Sequence, residues 1–461
     1  MSCTVTLDQL IQVLGATPHN ISASLEQQPS TGIVTDSRLL VPRNIFVALR
    51  GDRFDGHAFV GDVLQRGALA AVVDRSVAIA SLGNGWANSE ELPLLQVDDT
   101  LAAYQAIARW WRSQFSIPVI AVTGSVGKTT TKELIAATLG TQGLVLKTEA
   151  NYNNEIGVPK TLLNLSPRHD FAVVEMAMRA AGEIGVLAQI ARPDIAVITN
   201  VGTAHIGRLG SETAIAAAKC ELLAELPPAG VAVLNYDNPL LMEMARRVWA
   251  GPVLTFGLNG GDLRGDLVDP HTLAVDGVTL PLPLPGRHNA LNYLAALAVA
   301  KILQVDWGPL QAGLALELPA GRAQRLDLPT DIVILDETYN AGLESMIAAL
   351  QLLAETPGDR HIAVLGTMKE LGDRSADFHR RVGQTVSQLK LDHLLILADP
   401  VEAEALAAGA SPVPTEQFWD HEALARRLQA LVKPGDRLLF KASRSVALDR
   451  VVAKVQSYFP A

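Results

Sequence analysis

Residues 123–129 read Thr-Gly-Ser-Val-Gly-Lys-Thr, a run whose composition suits the cradling of phosphate. Glycines let a backbone turn sharply and aim its N–H groups inward. A helix starting just behind them adds free donors and a partial positive charge. Lys128 would rest on the outer phosphates, and Thr129 or Thr130 would offer a hydroxyl to magnesium. The common pattern, Gly-x-x-x-x-Gly-Lys-Ser/Thr, is longer. Here only Ser125 and Val126 separate the glycines. A plain strand-to-helix turn is the competing reading, but Lys-Thr-Thr directly behind Gly127 favours a nucleoside-triphosphate site of an unusual subtype. Gly124, Ser125, Val126, Gly127, Lys128, Thr129 and Thr130 are therefore expected to hold ATP.

Other residue types could join that chemistry. Glu175 ends an apolar run, where a carboxylate can hold magnesium or cap a strand end. His205 sits in the Gly-rich stretch Asn-Val-Gly-Thr-Ala-His-Ile-Gly, where it is either structural or functional. Lys219 lies in an alanine-rich helical stretch, and the default expectation there is a solvated face. Asn289 and Asn292 open a long apolar helix, as caps or as amides offered to a base edge. Arg322 lies in Pro-Ala-Gly-Arg-Ala-Gln, between two patterned regions. Asp336 follows an apolar run and could hold ribose hydroxyls or form a turn.

These residues need a frame. Residues 119–122 form an apolar, β-branched run that reads as a buried strand, and 132–139 read as a helix. Strand-like runs at 171–174, 195–199 and 231–235 alternate with helical stretches, which predicts a parallel sheet buried on both faces. Ligands bind beyond the carboxyl ends of such strands, and Glu175, Asn200 and Asn235 stand there. Upstream, 44–49 and 70–73 read as strands and 101–115 as a helix leading into the loop strand. Residues 260–284 read as a small β excursion. Runs at 332–335, 362–365, 394–397 and 437–440 predict a further α/β unit. The expected fold is α/β in three domains: 1–112, a central parallel-sheet ATPase domain at 113–322, and a Rossmann-like domain at 323–461.

Bulk properties narrow the partners. Across 461 residues, 49% are hydrophobic and the net charge is −10, which suits a large core and argues against a nucleic-acid surface or polybasic membrane anchor. Cys3 and Cys220 fit no metal-ligand spacing, and a disulfide scaffold is not expected. Neither a signal peptide nor a membrane-spanning run is read, so a soluble cytoplasmic chain without nucleic-acid or membrane partners is expected.

The order of these signals resembles one family. Thr-Gly-Ser-Val-Gly-Lys-Thr-Thr-Thr-Lys is similar to the shortened ATP loop of the Mur ligases. Residues 35–60 resemble their UDP-sugar-holding N-terminal region, and 151–165 resemble their Asn-Asn-x-Ile-Gly-Val-Pro segment. Residues 364–383 resemble a stretch found in members that add D-alanyl-D-alanine, and Lys441-Ala442-Ser443-Arg444 resembles their closing Lys-Gly-Ser-Arg. The resemblance implies an ATP- and Mg2+-dependent ligase that joins D-alanyl-D-alanine to UDP-N-acetylmuramoyl-tripeptide, working as a monomer; a sibling adding a single amino acid is the alternative. It also implies roles. Lys128, His205, Lys219 and Arg322 would act in catalysis, and Thr129, Glu175, His205 and a carbamylated Lys219 would hold magnesium. Asn289, Arg322 and Asp336 would contact adenine, phosphate and ribose. Ser37, Arg38, Asn153, Asn154, Tyr339 and Asn340 would contact the substrates. Three departures stand out: Gly342 replaces an asparagine, Ala442 a glycine, and Thr367 an aspartate near the expected dipeptide site.

Overall fold

The computed structural model describes residues 3–51, 54–82 and 91–459. Residues 52 and 53, within the 35–60 stretch, lie outside them.

Three sheets follow one another along the chain. The first has five strands, in the order Thr17–His19, Leu94–Val97, Ala70–Asp74, Asn44–Val47, Gly32–Val34. Its strands are parallel except the antiparallel edge Thr17–His19. The helix Thr100–Ser113 then leads away, capped by Asp99, whose carboxylate accepts from the Leu101 and Ala102 N–H groups. Near its end, buried Arg112 donates to the Ala191 and Phe115 carbonyls and pairs with Asp194 at 3.0 Å, fastening the helix to the second sheet.

The second sheet has nine strands. Val119–Thr123 lies between Phe171–Glu175 and Ile195–Ile198, with Val231–Asn235 and Val253–Gly257 continuing outward, all parallel. Every residue of Val119–Thr123 is buried, the physical reason the strand reads as an unbroken apolar run. The region read as a β excursion extends this sheet. Leu263–Asp269 pairs parallel to Val253–Gly257, and two antiparallel hairpin strands, Thr272–Val275 and Val278–Pro281, complete the edge.

The third sheet has six strands. Asp436–Lys441, last in the chain, inserts between Ile332–Glu337 and Arg360–Gly366, and only Gln324–Leu328 runs antiparallel. The doubly covered parallel sheets agree with the α/β expectation.

Three local expectations change. The loop helix begins at Lys128, four residues before the expected 132, because Gly127 in the left-handed region (φ 81°) caps it directly. Lys219 is not on a solvated face: its helix, Glu212–Ala224, is packed on several sides, and the side chain is 2% exposed. Asp336 lies within the strand Ile332–Glu337 rather than after it. Among the described residues, no helix is long and apolar enough to cross a membrane.

Candidate active site

A cleft of about 380 Å3 opens at the carboxyl ends of the second sheet's strands and is roofed by the third sheet's unit. Its floor is the loop 124–127. Gly124 takes φ 153°, and a Cβ there would lie 1.9 Å from Thr199 Oγ1. At Gly127 a Cβ would lie 2.5 Å from Asn292 Oδ1. The two glycines are thus demanded by backbone sign and by crowding together.

The segment after Ile195–Ile198 clasps this loop. Ser125 N–H donates to the Asn200 carbonyl, and Val126 N–H to the Asn200 side-chain oxygen at 3.0 Å. Thr199 Oγ1 and Asn200 Nδ2 both donate to the Val126 carbonyl. No side chain caps the helix Lys128–Leu139, and its first intrahelical bond there is from Thr131 N–H to Gly127. The N–H groups of Lys128, Thr129 and Thr130 therefore face the cleft without intrahelical partners, as an anion requires. Lys128 curls back, donating from Nζ to the Gly124 carbonyl at 2.8 Å and the Ser125 carbonyl at 3.3 Å. Burial holds its pKa below the usual lysine value, Glu175 opposing.

Glu175, the last residue of Phe171–Glu175, is 2% exposed and lines the cleft beside Thr129. Its Oε1 accepts from Asn153 Nδ2 at 2.7 Å. Its Oε2 is buried with no hydrogen-bond partner, and Lys132 Nζ stands 4.0 Å away. A buried carboxylate oxygen without a donor is expensive unless a cation completes it. An oxygen-rich setting of hydroxyl and carboxylate is what magnesium takes, so Thr129 and Glu175 fit that ion. Among the described residues there is no group of three or more His, Cys, Asp or Glu that could hold a metal by themselves.

His205 lines the cleft with its backbone left-handed (φ 65°). Its Nδ1 meets Glu370 Oε2 at 2.5 Å. Burial, then the nearby Lys128 charge, hold its pKa below the ordinary imidazole value. Lys219 is absent from the cleft lining. Burial drives its pKa well below 10.5, with the Lys128 charge adding to that.

Asn289 and Asn292 line the far side, Asn292 accepting from Thr131 Oγ1 and donating to Asn289. Arg322 lies over the Tyr339 ring, 3.9 Å from its centroid, and both line the cleft with Asn340. The remaining expected residues are elsewhere. Asp336 accepts from Thr338 N–H and Oγ1 and is not a cleft-lining residue. Asn154 accepts from Ile156 and Gly157 N–H groups, shaping the turn into Gly157–Leu162. Ser37 and Arg38 sit on the first sheet's unit, Arg38 paired with Asp36 at 2.7 Å, and that hydrogen bond leads the fall of the Asp36 pKa to about 2.

Several cleft residues carried no assigned role in the sequence, Lys441 among them although it opens the closing motif. Lys441 ends the inserted strand, pairs with Glu337 at 3.3 Å and donates to the Asn340 carbonyl. Its place at a parallel strand's carboxyl end is the same signal that singled out Glu175. Glu344 reaches from the third unit to accept from Thr203 N–H at 2.7 Å, and no local pattern announces it. At the departure positions, the Thr367 hydroxyl locks onto Asp399, whose carboxylate pairs with Lys369 at 2.5 Å. Ala442 is fully buried.

The cleft thus gathers Lys128, Arg322 and Lys441 around an anion-ready loop and a lone carboxylate oxygen. Three family models match the chain: Mur ligase family, catalytic domain, over residues 29–112; Mur ligase middle domain over 122–300; and Mur ligase, glutamate ligase domain, over 321–444. The UDP-N-acetylmuramoyl-tripeptide–D-alanyl-D-alanine ligase of Synechocystis sp. is 59% identical, over 93% of this chain and 92% of that one. The Escherichia coli ligase of the same description is 36% identical over 98% of both. A crystal structure of MurF from Acinetobacter baumannii superposes with a TM-score of 0.88 at 31% identity, covering 99% of each chain. MurF from Thermotoga maritima, solved in complex with ADP, gives 0.82 at 31% identity, covering 95% of this chain and 99% of that one. With the models spread along most of its length, the chain belongs to the Mur ligase family.

Proposed function

We propose that this chain is an ATP-dependent amide ligase that joins D-alanyl-D-alanine to UDP-N-acetylmuramoyl-tripeptide in the cytoplasm, acting as a monomer. The observation that carries this reading is the uncapped helix start at Lys128 in the same cleft as Glu175, whose buried Oε2 has no hydrogen-bond donor, in a chain 59% identical to a ligase of that description. In this reading residues 1–112 hold the UDP-sugar, with Ser37 and Arg38 among the contacts, 113–322 hold ATP, and 323–461 close over both.

The chemistry follows from the leaving-group problem. Hydroxide leaves a carboxylate poorly, so the tripeptide's terminal carboxylate takes the γ-phosphoryl of ATP and releases ADP. The dipeptide amine attacks the acyl phosphate, and the tetrahedral adduct expels phosphate. Magnesium, when bound, neutralises charge on the phosphoryl oxygens. Thr129 and Glu175 would hold it, with His205 and a carbamylated Lys219 serving a second ion. Burial disfavours the ammonium of Lys219 and so favours the free amine, the form that adds to carbon dioxide. Lys128 exchanges two loop carbonyls for phosphate oxygens, and the loop N–H groups donate to charge that grows in the transition state. Arg322, held against Tyr339, adds positive charge from the roof, and Asn289 would contact the nucleoside. Asn153, which fixes Glu175, and Asn154, Tyr339 and Asn340 would face the peptide. Near Thr367, a second cavity lined by Lys369, Asp399 and Trp419 brings together opposite charges that suit a zwitterionic dipeptide.

The test is a mass-resolved assay with ATP, magnesium, UDP-N-acetylmuramoyl-tripeptide and either D-alanyl-D-alanine or single amino acids. A UDP-linked pentapeptide formed only with the dipeptide is the expected product. Turnover only with a UDP-dipeptide and a single amino acid would overturn the dipeptide assignment.

A further inference from the structure

Residues 202–208 run between the phosphate loop and the third sheet's unit, and they are held on both sides. Toward the loop, Gly202 N–H donates to Ser125 Oγ at 2.9 Å. Toward the third unit, Thr203 N–H and Oγ1 donate to Glu344. Over the next five residues, one amino acid of the third unit, Glu370, makes a denser set of contacts. The Glu370 carbonyl accepts from Gly207 N–H at 3.1 Å. Its carboxylate takes Arg208 on Oε1 at 3.1 Å and His205 Nδ1 on Oε2 at 2.5 Å. The fit leaves no slack: a Cβ on Gly207 would lie 2.5 Å from Gly372 N and 2.9 Å from the Glu370 carbonyl. His205 and Glu370 both adopt left-handed backbone, at φ 65° each. Two strained non-glycine residues facing each other persist only where their surroundings hold them.

The chemistry of the contact fixes a tautomer. An ionised carboxylate only accepts hydrogen bonds, so the imidazole proton lies on Nδ1 and the lone pair on Nε2. We propose that Glu370 is a positioning residue for His205, acting across the joint between the second and third units. With the units docked, it sets the ring's orientation and leaves Nε2 as the nitrogen able to ligate or accept in the cleft. With them apart, His205 loses its anchor, so the phosphate side of the cleft is complete only in the docked state. This rests on the ligase reading above, in which His205 serves the metal–phosphate centre. A carboxylate behind a working histidine characteristically changes metal affinity or activity by about 10–100-fold.

The test uses full-length protein, wild type and Glu370→Ala, Glu370→Gln and Arg208→Ala, each checked for folding by circular dichroism and thermal melting. Glu370→Ala is expected to lower kcat about 10–100-fold with KM for ATP nearly unchanged, and to raise the magnesium concentration for half-maximal rate. Glu370→Gln, which retains an acceptor, recovers part of the rate, and Arg208→Ala loses much less than Glu370→Ala. A readout independent of turnover is 15N NMR of histidine-labelled protein, with His205 assigned by its absence in His205→Gln. Wild type should carry the proton on Nδ1, and Glu370→Ala should shift it toward Nε2. An unchanged tautomer, or Arg208→Ala matching Glu370→Ala in kcat, overturns the proposal and leaves a docking ion pair. If wild type makes no dipeptide product, the ligase reading fails on its own, while the tautomer measurement still decides whether Glu370 sets His205.

Discussion

The loop geometry makes a quantitative claim at Gly127. Replacing it with alanine imposes two separate penalties. A side chain at φ 81° costs about 1–2 kcal/mol. The new Cβ would also sit 2.5 Å from Asn292 Oδ1, so that amide must turn away. Doing so forfeits its bonds with Thr131 Oγ1 at 3.2 Å and with Asn289 at 3.3 Å, roughly 1 kcal/mol each. The sum, about 3–4 kcal/mol, falls on the conformation that receives the triphosphate. At ~1.4 kcal/mol per decade, ATP affinity should drop about two to three orders of magnitude. The two penalties separate in a double-mutant cycle. In an Asn292→Ala background the clash is gone, and Gly127→Ala should then weaken binding by only about tenfold. Isothermal titration of ATP into the four proteins reads this directly, with thermal melting to confirm folding. Equal losses in both backgrounds would show that Asn292 is not the obstacle. A single Gly127→Ala that binds ATP within threefold of wild type would refute the idea that this backbone shape makes the site.

Two further expectations come from groups behind the cleft. Lys132 is fully buried, donates to the Thr148 carbonyl at 2.6 Å and pairs with Glu133 at 2.9 Å, so Lys132→Met strands two acceptors and should destabilise the central unit by about 3 kcal/mol in urea unfolding; a change under about 1 kcal/mol would contradict the role given to the pair. His379 is buried as a neutral ring, Nε2 accepting from Met368 N–H at 2.9 Å and Nδ1 bonded to the Ser375 carbonyl at 2.7 Å, and burial lowers its pKa from 6.5. The unfolded chain therefore binds more protons below pH 6.5, and this share of stability, present above that value, is lost as pH falls through the folded pKa, at up to ~1.4 kcal/mol per unit. The stability gap between wild type and His379→Leu should narrow from pH 7.5 to 5.5 in paired urea titrations, and a gap independent of pH would remove His379 as its source.

The parts of the fold that read directly from the chain are those whose burial is symmetric. Val119–Thr123, Ile195–Ile198 and Val231–Asn235 are covered on both faces, so their apolar runs carry no phase to misjudge. Helix starts were harder. Thr129, Thr130 and Thr131 are mediocre helix formers, yet they are helical because Gly127 caps the turn and Thr131 Oγ1 bonds Asn292. Lys219 misled for a related reason. Its helix buries Ile215, Ala216, Ala218, Cys220, Leu222 and Leu223, which leaves no clear polar stripe, and an alanine-rich stretch hides how closely it is packed.

The site itself was legible where one strand end supplies the residue and illegible where two distant segments must meet. Glu175 and the loop announce themselves within a few residues. Glu344 and Glu370 act on residues 141 and 165 positions away, and only docking gives them meaning. The same distinction explains the charge layout. Lys128 is parked on the Gly124 and Ser125 carbonyls while Glu175 Oε2 has no donor. Moving Lys128 to phosphate replaces neutral acceptors with charged ones, which strengthens its bonds. Completing Glu175 needs a cation instead. A triphosphate alone would bring more negative charge toward that oxygen, and a divalent ion alone would face Lys128 unscreened. In the proposed reading, magnesium and nucleotide brought together answer both needs, and their affinities should be mutually reinforcing.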